Sequence, residues 1–98
     1  MPFRILFAPD AQDQIKDLPA RDRAIIADAV DEQLAHQPNV PTKNRKPLRP
    51  NNLATWELRI GDFRVYYDLD GPGHASRIIA LGIKDRNRVF IDGKEFGL

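Results

Sequence analysis

Trp56-Glu57-Leu58-Arg59-Ile60-Gly61-Asp62-Phe63-Arg64-Val65-Tyr66-Tyr67-Asp68 decides the fold. Apolar and polar residues alternate with period two on both sides of a Gly-first, two-residue loop, which is the pattern of a β-hairpin. With the loop at Gly61-Asp62, counting sets the register. Ile60 faces Phe63, Arg59 faces Arg64, Leu58 faces Val65 and Glu57 faces Tyr66. One face is apolar (Trp56, Leu58, Ile60, Phe63, Val65, Tyr67) and needs a cover. The other sets Arg59 opposite Arg64 with Glu57 beside them. Like charges in a cross-strand pair cost roughly a few tenths to 1 kcal/mol. Either Glu57 and Asp68 neutralise the pair, or an external anion does.

Working outward, Gln37 to Asn52 is a proline-rich linker carrying Lys43, Arg45, Lys46 and Arg49. It reads either as a solvated connector or as a basic rim that holds phosphates. Before it, Ala20 to about His36 has a helical stripe of Ile26, Ala29, Val30, Gln33 and Leu34, with acidic residues on the wet side. Ala11, Ile15 and Leu18 mark a shorter helix, with Asp10 as its expected N-cap and Pro19 at the junction. Phe3 to Phe7 is a short strand, expected at a sheet edge. Beyond the hairpin, Ile78 to Ile83 is a continuous apolar run, expected in the middle of an antiparallel meander. Gly82 removes a side chain there and is expected to leave open space. Val89-Phe90-Ile91 reads as a further short strand, followed by a turn signal at Asp92-Gly93.

The 98 residues are expected to form one domain, 1–98. The chain has no cysteine, which removes disulfides, thiolate nucleophiles and cysteine zinc sites, and fits a reducing cytoplasm. His36 and His74 lack metal-ligand spacing, so no metal and no cofactor are expected. His74, in a glycine-rich turn, is expected to be exposed and incidental. No leader pattern or membrane-length apolar run is seen. Charge is segregated. Residues 1–37 hold four Lys/Arg against seven Asp/Glu, and residues 38–98 eleven against seven. The basic half contains the hairpin, as a polyanion-binding face would.

Lys46-Pro47-Leu48, Trp56-Glu57-Leu58-Arg59, Gly61-Asp62-Phe63-Arg64-Val65-Tyr66-Tyr67 and Gly82-Ile83-Lys84-Asp85-Arg86 together resemble the RelE/ParE superfamily of bacterial toxins. The resemblance covers nearly the whole chain. It implies an α+β fold: an N-terminal strand and a two-helix hairpin packed on a curved antiparallel sheet of about four strands. It also implies a type II toxin with a cognate antitoxin. RelE-like members cut mRNA in the ribosomal 70S A site without metal, and ParE-like members poison DNA gyrase.

Under the nuclease reading, Arg64 matches the family's third-strand arginine, Arg59 a second-strand base and Lys84 the base after the fourth strand. Arg59 and Arg64 would hold the phosphate, since guanidinium forks match its oxygens. Glu57 would accept the proton and Lys84 offset leaving-group charge. Lys43, Arg45, Lys46, Arg49, Arg86 and Arg88 would grip RNA, with Tyr66 and Phe90 stacking on bases. Phe90 stands where relatives carry a tyrosine, and Lys46 where some carry a glutamate base. A phenylalanine cannot shuttle a proton. The alternatives are gyrase binding and a catalytically weak toxin that mainly binds its antitoxin. An acidic antitoxin segment over Arg59 and Arg64 would suit all three readings.

Overall fold

The structure is a computed structural model and describes residues 2–97. Strand β1 (Arg4–Phe7) leads into helix α1 (Pro9–Lys16) and helix α2 (Ala20–Leu34). Six strands follow: β2 (Arg45–Pro47), β3 (Trp56–Ile60), β4 (Phe63–Asp70), β5 (Ala75–Asp85), β6 (Arg88–Ile91) and β7 (Lys94–Phe96). They form one curved, open sheet in the order β2-β3-β4-β5-β6-β7, with β1 also paired to β5. The β1–β5 pair is parallel; every other pair is antiparallel. Among the described residues the sheet thus has seven strands. The additional short ones are β2 inside the linker and the β6–β7 hairpin in the tail.

The β3–β4 register is the one counted from the sequence, including Arg59 opposite Arg64. Gly61 takes φ +58 at the turn, where a side chain would be strained. Between Tyr66 and Tyr67 the pairing with β5 slips by one residue at Ile79. This bulge lets Ile78 and Leu81, three residues apart, both point into the core. The apolar run in β5 therefore serves one core face without strict alternation.

The helices cover that face. Ala11, Ile26, Val30 and Leu34 pack on Leu58, Val65, Tyr67, Ile78 and Leu81. Trp56 joins them and stacks on Tyr67, ring centroids 6.0 Å apart. Helix α1 starts with Pro9 at its first position and Ala8 as N-cap, so Asp10 is not the cap. It lies in the first turn, where a carboxylate still favours the helix dipole. Pro19 is the N-cap of α2. Buried Ser76 donates to the Leu34 carbonyl at 2.9 Å, satisfying an orphan group at the α2 C-terminus.

The linker is anchored at two points. Pro38 is buried, and its carbonyl accepts the Tyr67 hydroxyl at 2.7 Å. Arg45 lies opposite Leu58, so it shares the helix-covered face. It is buried there and donates to the Val40 carbonyl, the Gln33 carbonyl and Gln33 Oε1 at 3.1, 3.0 and 2.7 Å. The expectation that Arg45 grips RNA is corrected: its guanidinium ties the linker to α2. Among the described residues no helix is long and apolar enough to cross a membrane.

Candidate functional site

Alternation sends Lys46, Glu57, Arg59, Arg64, Tyr66, Gly82 and Lys84 to the face away from the helices. Lys46 and Arg59 flank Glu57, with Lys46 Nζ 3.8 Å and Arg59 Nε 3.6 Å from Glu57 Oε1. Both basic side chains are about half exposed, whereas the Glu57 side chain is only 6% exposed. Tyr66 stands directly opposite Glu57 and donates its hydroxyl to the carboxylate. Burial, then the Glu57 charge and this hydrogen bond, pushes the Tyr66 phenol well above its ordinary range.

The cluster is half closed. Arg64 is buried, and its Nη1 donates to the Gly61 and Phe63 carbonyls at 2.7 and 2.9 Å. Its guanidinium is turned into the hairpin's own backbone. Tyr66 is 1% exposed, and Phe96 of β7 lies edge-on to it. Tyr66 is therefore covered, which corrects the expectation that it stacks on a base. Gly82 does not leave open space either. A Cβ at that position would lie 2.7 Å from Val89 Cγ1 and 3.1 Å from Tyr66 Cε2. The glycine lets the tyrosine ring and the tail hairpin meet over β5.

The remaining candidates separate. Lys84 pairs with Val89, and its partly exposed side chain continues the basic row. Phe90 pairs with Ile83 on the opposite face, where it lines a groove with Leu18 of the helix junction. It cannot stack on a base held at Arg59, and that expectation is corrected. Arg86 sits at φ +60 in the β5–β6 turn. Arg88 is exposed and 3.7 Å from Glu95. Lys43 and Arg49 are exposed at either end of β2. His74 is exposed and stacks on Phe3 at 3.9 Å.

What sequence reasoning missed is the lid over Tyr66. Asp92 and Gly93 both take positive φ, as a tight two-residue hairpin requires, and Phe96 then falls opposite Val89. The Asp-Gly signal was visible; the fold-over onto Tyr66 depends on sheet curvature. No group of three His, Cys, Asp or Glu residues able to hold a metal occurs among the described residues.

Two helices on one face of a curved, mostly antiparallel sheet, with a basic row on the other, define a RelE-like α+β toxin fold. The model of the ParE toxin of type II toxin–antitoxin systems, parDE, matches residues 5–89, and the chain belongs to that family within the RelE/ParE superfamily. Two solved structures share the fold. One is the toxin–antitoxin complex RelBE2 from Mycobacterium tuberculosis, at 24% identity and TM-score 0.73, covering 86% of this chain and 100% of that one. Another is the archaeal RelE–RelB complex from Pyrococcus horikoshii OT3, at 17% identity and TM-score 0.69, covering 88% and 99%. Among curated proteins, none matches the chain in sequence.

Proposed function

We propose that this chain is a cytoplasmic, ParE-like toxin that arrests growth by binding a protein target, with DNA gyrase the target the resemblance implies, and that a cognate antitoxin neutralises it. The observation that carries this reading is the spent state of the inner cluster. Arg64 is committed to two backbone carbonyls, Glu57 to Lys46, Arg59 and Tyr66, and Tyr66 lies under Phe96. A nuclease needs such groups free to meet the reacting phosphate. A protein-binding toxin does not. The antitoxin would lay an acidic segment along Lys46, Arg59 and Lys84, where exposed bases meet it, or add a strand at the β2 edge.

A second reading is a ribosome-dependent, metal-independent mRNA endoribonuclease that inhibits translation. It is favoured by the in-register Arg59–Arg64 pair with Lys84 on the same face. It requires Arg64 to leave the Gly61 carbonyl.

A supercoiling assay with purified gyrase, run beside primer extension on total RNA after induction, tests the choice. Inhibited supercoiling with intact mRNA is expected. Cuts within translated codons, with gyrase unaffected, would reverse it.

A further inference from the structure

On the helix-covered side, where the α1–α2 junction meets the β3–β4 turn and the end of β5, the core is left open. Two adjoining hollows of about 420 and 510 Å³ share Leu18 and Ile83 as walls. Their apolar floor is Leu18, Ile25, Ile60, Phe63, Ile83 and Phe90. Ile25 and Ile83 are 43% and 45% exposed, two of the most exposed large apolar side chains among the described residues. The charged residues at the rim are all of one sign: Asp17, Asp22, Asp62, Asp85 and Asp92. Among the described residues no lysine or arginine lines either hollow. None of these aspartates is in an ion pair among the described residues, although Glu57 and Glu95 both are.

Five carboxylates without counter-ions around an apolar trough repel one another. They also define the charge of whatever relieves them. We infer that this groove binds a basic amphipathic helix, apolar residues inward and lysines or arginines along both borders, belonging to the protein the toxin inactivates. The helix would bury Ile25 and Ile83 while its cations meet the rim. The inference rests on the protein-binding reading above and specifies the partner's chemistry. The groove lies across the sheet from the basic row, and the two surfaces have opposite sign. An acidic antitoxin segment suited to Lys46 and Arg59 would be repelled here, so antitoxin and target would take different faces.

The test uses the purified full-length chain and a helical peptide of about 18 residues, some five turns. Leucines form one face of it and lysines the other; a twin replaces every lysine with glutamate. The lysine peptide is expected to bind about ten-fold or more tightly than its twin and to weaken with salt. Ile83→Asp, and separately Asp22→Lys with Asp62→Lys, should each abolish that preference. Ile83 and Asp62 are exposed and Asp22 partly so, and circular dichroism checks that the variants fold. In cells both variants should lose growth inhibition yet still co-purify with antitoxin.

Equal affinity for the two peptides would overturn the inference. So would variants that stay toxic, variants that lose the antitoxin instead, or a concentration-dependent dimer of this chain that these changes dissolve. The supercoiling assay on the unaltered chain reports separately on the proposed function, so failure of one is not read as failure of the other.

Discussion

Phe96 stands edge-on to Tyr66, ring centroids 5.2 Å apart and planes at 65°. That contact closes the sheet face over a phenol already bonded to Glu57. It sets the first prediction, which concerns alkali. The chain has two tyrosines, and both are held protonated in the fold. For Tyr66 the causes are burial and then Glu57, with Arg64 and Arg59 opposing; for Tyr67 the cause is burial, opposed by Arg45. The unfolded chain releases these protons near the ordinary value of 10.0, while the folded one keeps them. Above that value the unfolded state binds fewer protons, so stability falls as pH rises. Below it, the contribution is fully present. Tyrosinate absorbance is expected to stay flat past pH 10.0 and then rise together with loss of circular dichroism. A smooth tyrosine titration in the folded protein would contradict the burial of both rings.

Arg45 gives the second prediction. Its side chain is buried and its hydrogen bonds to Gln33 and Val40 are partly buried. Arg45→Ala is expected to lower unfolding free energy by about 1–3 kcal/mol, because partly buried acceptors on α2 and the linker lose a charged donor. Arg45→Lys should recover little, since an ammonium cannot span both residues as the guanidinium fork does. Lys43→Ala and Arg49→Ala, at exposed sites, should change the urea midpoint hardly at all. Loss of RNA binding by Arg45→Ala at unchanged stability would restore it as a contact residue.

Arg59 and Arg64 face each other, yet they should behave differently, which is the third prediction. Arg64→Ala leaves the Gly61 and Phe63 carbonyls short of a donor beside the turn and should cost about 1–3 kcal/mol. Arg59 is half exposed and pairs with Glu57 at 3.6 Å, so Arg59→Ala should cost within about 1 kcal/mol. Its effect belongs to binding: weaker, less salt-sensitive capture of the antitoxin, read by calorimetry at two ionic strengths. An Arg64→Ala protein as stable as its parent, with activity gone, would instead speak for a catalytic arginine.

The hairpin was legible because two local signals agree there. Period-two alternation gives the faces, and Gly61 at φ +58 gives the turn, so every β3–β4 pair follows by counting. The α2 stripe was legible for the same kind of reason: Ile26, Val30 and Leu34 recur at helical spacing and are buried. Arg45 was not, because its face depends on pairing with Leu58, a non-local fact, and β2 is only three residues long. Phe90 was placed by family position, whereas its register against Ile83 sends it to the other side of the sheet. Lys46, Arg59 and Lys84 lie on one face of the sheet, each at least partly exposed. What failed was accessibility: Arg64 folds back on the Gly61 and Phe63 carbonyls of its own hairpin, and Tyr66 is covered by Phe96 of β7, which a pairwise reading of two strands does not include.

Gly82 carries the last prediction. It is the point where β5, the Tyr66 ring and the tail hairpin converge. Gly82→Ala places a methyl 2.7 Å from Val89 Cγ1 and 3.1 Å from Tyr66 Cε2. Neither neighbour can retreat freely: Tyr66 is held by Glu57, and Val89 is paired to both Lys84 and Phe96. Overpacking of this kind costs about 1–3 kcal/mol. The weaker partner should give way, and that is the tail, since β6 and β7 have only four and three residues. Hydrogen exchange is therefore expected to quicken at the β6 and β7 amides while β3 and β4 keep their protection. If β4 loosened as well, the tail would be part of the central cooperative unit. A lid would then have no independent motion, and any nuclease chemistry that depends on uncovering Tyr66 would be closed to this protein.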